Sequence, residues 1–226
     1  MKNQQDIESA DDHEDDQNDE RQSDERQYNW EERYTQPNSA PWDSGLPAPE
    51  LEEYFASLEK DKYPKLVLEI GCGTGTNAIW MANHGCAVTT TEIAPTAMEA
   101  AKKKAAEAKK QIDFHLIDIC ETTPVDDGTQ DFAFDRGVYH VIERAKRNLF
   151  VERVAAALKP GAFWLSISGC KDEYRQDPNV GPPQLSAIEL ITPIEPHFAV
   201  IKLERTYFIL DSGIKHLAWK ALYQRR

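Results

Sequence analysis

The sequence is short of several features that would each mark a class of protein. Cysteine occurs four times in 226 residues, at positions 72, 86, 120 and 170. Those spacings contain no Cys-x-x-Cys pair and no zinc pattern, so no disulfide framework is expected and no metal is assigned. No stretch approaches the roughly 18 consecutive apolar residues of a membrane span. Met1-Lys2-Asn3-Gln4-Gln5 leads directly into acidic sequence, without the apolar core of a signal peptide. A reduced, cytoplasmic protein without membrane contact is expected. Positive charge is scarce too: 26 Lys and Arg stand against 39 Asp and Glu, a net of −13. Nucleic-acid affinity rests on neutralising phosphates, so no nucleic-acid partner is expected. The one basic stretch, Lys102-Lys103-Lys104 and Lys109-Lys110, is interleaved with Glu99 and Glu107 and reads as a solvated helix face.

The charge is unevenly spread. Residues 1–27 hold eleven Asp or Glu and three Lys or Arg, a net of −8 that leaves −5 for residues 28–226. This segment has no aromatic residue, and Ile7 is its only branched aliphatic. It cannot bury enough apolar surface to offset the entropy of ordering, so a disordered acidic tail is expected over 1–27 and one domain over 28–226.

Within the domain, residues 28–49 are rich in Trp, Tyr, Pro and Gly and read as an irregular but ordered segment. A helix is expected over 50–60. Short apolar runs then alternate with helical stretches. Strands are expected at 66–70, 87–92, 112–117, 131–135 and 162–168, and helices at 77–84, 95–110 and 146–158. This cadence predicts an α/β fold, a doubly wound and mostly parallel sheet with helices on both faces. The cadence breaks after a helix expected at 185–195. The runs 198–210 and 215–223, separated by Asp211-Ser212-Gly213, read as an antiparallel pair at the sheet edge. That makes seven strands.

In such a sheet ligands bind beyond the carboxyl ends of the strands. The first strand ends there in Glu69-Ile70-Gly71-Cys72-Gly73-Thr74-Gly75. Glycines allow the tight turn and a close approach of backbone to ligand. The third glycine comes one residue too early for a dinucleotide fingerprint, and no phosphate-binding Gly-x-x-x-x-Gly-Lys-Ser/Thr occurs. Acids stand at the ends of the first three strands, Glu69, Glu92 and Asp118. This combination resembles the class I S-adenosylmethionine-dependent methyltransferases. The resemblance implies S-adenosyl-L-methionine as cofactor and a role for each residue. Gly71, Cys72, Gly73, Thr74 and Gly75 would form the binding turn, with Glu69 placing the cofactor's amino-acid end. Glu92, followed by Ile93, would accept both ribose hydroxyls. Asp118 and Ile119 would read the adenine, and Asp135 closes the fourth strand beside them.

Trp30-Glu31-Glu32-Arg33-Tyr34 and Pro41-Trp42-Asp43-Ser44-Gly45 resemble the N-terminal aromatic segment of the thiol/halide methyltransferases, relatives of the thiopurine S-methyltransferases. In that group two tryptophans stand four residues apart; here the second is Tyr34. Gly181-Pro182-Pro183-Gln184-Leu185-Ser186 resembles a stretch that follows the fifth strand in the same group. Trp30 and Trp42 would attract the sulfonium cation through their ring faces. After the fourth strand, Asp135-Arg136-Gly137-Val138-Tyr139-His140 lacks the further aromatics of halide methylators. The resemblance puts Arg136, Tyr139 and His140 toward the acceptor, with His140 a candidate base. The Asn/Asp-Pro-Pro-Tyr/Phe/Trp grip of nucleic-acid amino-methylators is missing there, and so is the glutamate pair of arginine methylators. The expected activity is methyl transfer to a small-molecule nucleophile, a thiol or related soft acceptor first. The alternatives are an O- or N-methyltransferase of small molecules and a cofactor-binding protein without turnover.

Overall fold

The computed structural model describes residues 28–36, 40–177 and 180–226, so the acidic tail lies outside the described residues. The seven strands are β1 (Leu66–Ile70), β2 (Ala87–Glu92), β3 (Asp113–Leu116), β4 (Gln130–Arg136), β5 (Leu158–Gly169), β6 (Phe198–Ile209) and β7 (Lys215–Arg225). They form one sheet in the order β3-β2-β1-β4-β5-β7-β6. β1 to β5 are parallel, and β7 pairs antiparallel with β5 and with β6. This is the architecture that the alternation of runs predicts.

The sheet's two faces are covered by separate apolar clusters, which explains the unbroken apolar runs of the inner strands. Along β1, Val67 points into one cluster with Phe132 and Phe134 of β4. Leu68 and Ile70 point into the other with Ala133, Phe150 and Trp164. Each such large apolar side chain contributes about 1.5–3 kcal/mol on burial.

Six helices are described: α1 (Trp30–Thr35), α2 (Pro49–Ala56), α3 (Thr76–Asn83), α4 (Pro95–Glu107), α5 (Arg147–Ala157) and α6 (Ala187–Ile191). Three differ from expectation. The segment read as irregular contains α1, whose N-cap Asn29 accepts from the Glu32 N–H. α2 ends at Ala56, and a single 3-10 turn follows at Lys60–Lys62. α6 is only five residues long. Ser186 and Glu189 form its capping box, and Pro193 and Pro196 remove the N–H groups that would continue it.

Strand order reverses at β1, which lies between β2 and β4. The carboxyl ends of these strands therefore splay apart at the glycine turn, leaving the crevice where an α/β sheet takes its ligand.

Candidate active site

The turn after β1 demands glycine. Gly71, Gly73 and Gly75 have φ of +66°, +54° and +81°, the left-handed region where side chains are strained. Space is also closed to side chains. A Cβ on Gly71 would stand 2.4 Å from Val138 Cγ2, and one on Gly73 2.8 Å from Tyr34 Oη. Cys72 is buried, and burial together with the nearby Glu69 carboxylate holds its thiol far above the usual range, so it is no nucleophile.

The three acids differ in what they do. Glu69 is 2% exposed, and its Oε2 has no hydrogen-bond partner among the described residues. Burial pushes its carboxyl up to about 8, with Glu92 adding to the rise and Asn77 opposing it. Such a group is mostly protonated until a cation arrives. An orphaned buried carboxylate oxygen beside a glycine cradle suits a ligand carrying an ammonium group. Glu92 is bound up with backbone instead. Its Oε2 accepts from the Gly73 N–H (2.9 Å), and its Oε1 from those of Ile93 (2.8 Å) and Ala94 (2.9 Å). A carboxylate has about four acceptor sites. Three are used, so taking both ribose hydroxyls would require Glu92 to give up one backbone bond. Asp118 is half-buried and accepts from the Cys120 N–H through Oδ1 (2.8 Å), fixing the turn around buried Ile119.

The aromatic segment lies across this turn. Trp42 donates its indole N–H to Tyr34 Oη (3.2 Å) and meets Trp30 edge-on with centroids 6.0 Å apart. Trp30 stacks on Tyr28 at 5.0 Å. Trp30 and exposed Ile93, distant in sequence, line one open cavity of about 480 Å³ with Tyr28, Asn29 and Glu31. Polar contacts pin the segment in place. The Thr74 hydroxyl donates to Asp43, and Lys104 donates to Thr74. Glu31 accepts from the N–H and hydroxyl of Thr96 at the start of α4, and Asn77 accepts from the Ala48 N–H (2.8 Å). Tyr34, Asp43 and Lys104 are absent from the expected set. Only the four-residue spacing of Trp30 and Tyr34 pointed to the first, and nothing local pointed to Lys104.

Beyond β4 the expectations need correction. Tyr139 does not face a ligand. It is fully buried among Phe150 and Trp164 and donates its hydroxyl to the Leu190 carbonyl. Asp135 is fully buried as well, and its carboxylate holds the loop from inside. It accepts from Trp164 Nε1 (2.9 Å) and from the N–H groups of Tyr139 and Val138, and burial raises it to about 6. His140 is 5% exposed, and its Nδ1 faces the Gly169 N–H at 2.7 Å. A ring nitrogen that accepts from an N–H carries no proton, so the neutral ring has its proton on Nε2. The lone pair that a general base would use is already occupied.

Gly169 leads on to the Gly181-Pro182-Pro183 stretch. A Cβ there would lie 1.9 Å from the Pro183 carbonyl oxygen, so the stretch seats directly on Gly169. Glu173 ties the same loop to β7, accepting from Arg175, His216 and the Leu217 N–H. Arg136 lies over the Phe208 ring at 4.9 Å, with Nε 3.7 Å from Glu50 Oε2. Burial lowers its affinity for the proton and the Glu50 carboxylate opposes that.

Comparison with known proteins agrees with this geometry. Residues 67–161 match the family described as methyltransferase domain. A 2-heptyl-1-hydroxyquinolin-4(1H)-one methyltransferase of Mycobacteroides abscessus is 30% identical over 151 residues, 66% of this chain and 64% of its own length. A probable thiol methyltransferase 2 of Arabidopsis thaliana is 28% identical over 152 residues, 66% of this chain and 65% of its own length. The chain thus spans just under two thirds of these relatives. A solved SAM-dependent methyltransferase of Methanosarcina mazei shares the fold, with TM-score 0.65 and 19% identity over 80% of this chain and 98% of that one. Glycine turn, strand-end acids and strand order coincide with these findings: the chain has the fold of the class I S-adenosylmethionine-dependent methyltransferases, and its residues 67–161 match their domain family.

Proposed function

We propose that this protein transfers the methyl group of S-adenosylmethionine to a small-molecule nucleophile, with a thiol or related soft acceptor preferred. The observation that carries the acceptor class is the occupied Nδ1 of His140. With that base withdrawn, the acceptor must shed its proton in solution. Thiols do so near pH 8.5 and phenols near 10, so sulfur is favoured.

The bound cofactor supplies an electrophilic methyl on a sulfonium. Gly71 to Gly75 would hold it against backbone, Glu69 would pair with its ammonium, and Glu92 would take one ribose hydroxyl. Asp118 and Ile119 would face the adenine, beside Ile93 and Trp30. Trp42 and Tyr34, joined by a hydrogen bond and set against Gly73, would help exclude water and would offer aromatic rings to a sulfonium. Arg136 would meet the acceptor's negative charge. Alignment of acceptor and methyl then carries the reaction, an effect on the order of 7–11 kcal/mol when geometry is held.

The test is a turnover screen. Protein and labelled cofactor are offered thiols, hydrosulfide, iodide, thiopurines, phenols and amines. Thiol methylation is expected; methylated phenols without methylated thiols would sink the preferred class. A hydroxyl acceptor is the second reading, favoured by the relative named for a hydroxyquinolone. Cofactor binding without any turnover would leave the non-catalytic alternative.

A further inference from the structure

The antiparallel pair at the sheet edge contributes two side chains to the region beyond β4. Glu50, in the first turn of α2, is 2% exposed. Its Oε1 accepts from the Thr206 hydroxyl of β6 at 2.8 Å, while its Oε2 has no hydrogen bond among the described residues. Facing that oxygen is Arg136 Nε, also buried and without a hydrogen bond among the described residues, at 3.7 Å. Phe208, two residues after Thr206, supports the guanidinium plane from one side. The Arg136 side chain keeps 16% exposure although Nε is buried, so its open edge is the Nη side. Val138, two residues on, packs against Gly71 of the glycine turn, where an added Cβ would stand 2.4 Å from its Cγ2.

We propose that Glu50 is a positioning residue. With Thr206 and Phe208 it orients Arg136 so that the Nη edge meets an anionic methyl acceptor. This rests on the reading of Arg136 as the acceptor-side cation. A guanidinium is planar and presents its donors in a rigid fork, so one side can be held by Glu50 while the other bonds an anion. The pair is too long for a hydrogen bond and too buried to be solvated. Removing Glu50's charge leaves a buried guanidinium uncompensated, and it relieves this by swinging toward solvent. Orientation is then lost, although the local charge becomes more positive. The two effects oppose each other in sign, which makes the outcome decisive.

The experiment uses the full chain saturated with S-adenosylhomocysteine, so that no methyl transfer intervenes. Calorimetry at about pH 8 compares thiophenol, which is ionised there, with phenol, which is not. Wild type is expected to bind the thiophenolate more tightly. In Glu50→Gln the ratio of the two affinities is expected to fall about tenfold, the loss of one charge-assisted hydrogen bond. A ratio that stays unchanged makes Glu50 structural only, and a ratio that rises means that Glu50 merely tempers the charge; either overturns the proposal. Thr206→Val removes only the hydroxyl that holds Glu50 and should lower the same ratio about threefold, a smaller neutral hydrogen bond. It decides the matter if Glu50→Gln does not fold, an unchanged ratio again overturning the proposal. Absence of methylation of both ligands by wild type in a parallel turnover assay would count against the proposed function, while the affinity ratio would still judge Glu50.

Discussion

The two halves of the crevice are built differently. On the side of β1, β2 and β3, the wall is turn backbone and strand-end carboxylates, each within a few residues of its partner or one strand away. On the side of β4 and β5, the contacts come from α2, from Pro183 seated on Gly169 and from the edge strand β6. There the polar side chains mostly hold one another: Asp135 holds Trp164, His140 holds Gly169, and Glu50 holds Arg136. The first half is fixed by backbone geometry. The second depends on residues remote in sequence, which can change without disturbing the first.

The sharpest way to break this comparison is at Gly73. Gly73→Asp places a Cβ against Tyr34 and a charge beside Glu92, at φ +54°. Affinity for S-adenosylhomocysteine should fall by more than about 100-fold, roughly 2.7 kcal/mol. Calorimetry checks it; unchanged binding would remove the turn from the site.

Glu69 should give the next largest effect. Burial pushes its carboxyl up to about 8, so pairing with the ligand's ammonium should expel a proton. At pH 7, calorimetry in buffers of different ionisation heat should find close to one proton released, falling toward zero above pH 8. Glu69→Gln should abolish the release and weaken binding about tenfold, one charged hydrogen bond. The sign for stability is opposite to that of a paired carboxylate. The folded value lies above the unfolded one, so the unliganded protein loses stability as pH rises from about 4.5 to about 8. The melting temperature of Glu69→Gln should pull ahead of wild type across that window.

His140 tests the other half. Asn Oδ1 can stand where His Nδ1 stands, so His140→Asn keeps the acceptor for Gly169. Thiol turnover is expected to fall no more than about fivefold, whereas loss of a general base costs about 10²–10⁴-fold. Steady-state rates with a thiol distinguish the two. The smallest effect is expected for Tyr34→Phe, which removes the acceptor of the Trp42 N–H. Cofactor affinity should drop about threefold, one neutral hydrogen bond at a half-buried position; no change in equilibrium dialysis would leave Tyr34 a packing residue.

Legibility follows the same division. β1 and β2 were read to the residue, because buried parallel strands are apolar runs ended by a glycine turn or an acid. The glycine turn and the acids after it were legible for the same local reason. The burial of Tyr139 and Asp135 is not legible, because the residues flanking them do not reveal that Trp164, Phe150 and Leu190 enclose them. Trp30 and Trp42 are legible as an aromatic pair, whereas the sequence marks Tyr34 only as a replaced tryptophan and does not reveal that its hydroxyl stands at Gly73.

The amino-acid sequence by itself determined the doubly wound sheet, its antiparallel edge, and a turn that only glycine can occupy. These depend on hydrophobic period and backbone sterics, which are properties of neighbouring residues. Tertiary structure alone decided that Glu92 spends three acceptor sites on backbone and that the His140 lone pair is taken by Gly169. It also decided that Arg136 answers to Glu50, Thr206 and Phe208. A hydrogen bond or ion pair depends on an approach of a few ångströms between residues far apart in the chain, and only the folded sheet sets that distance.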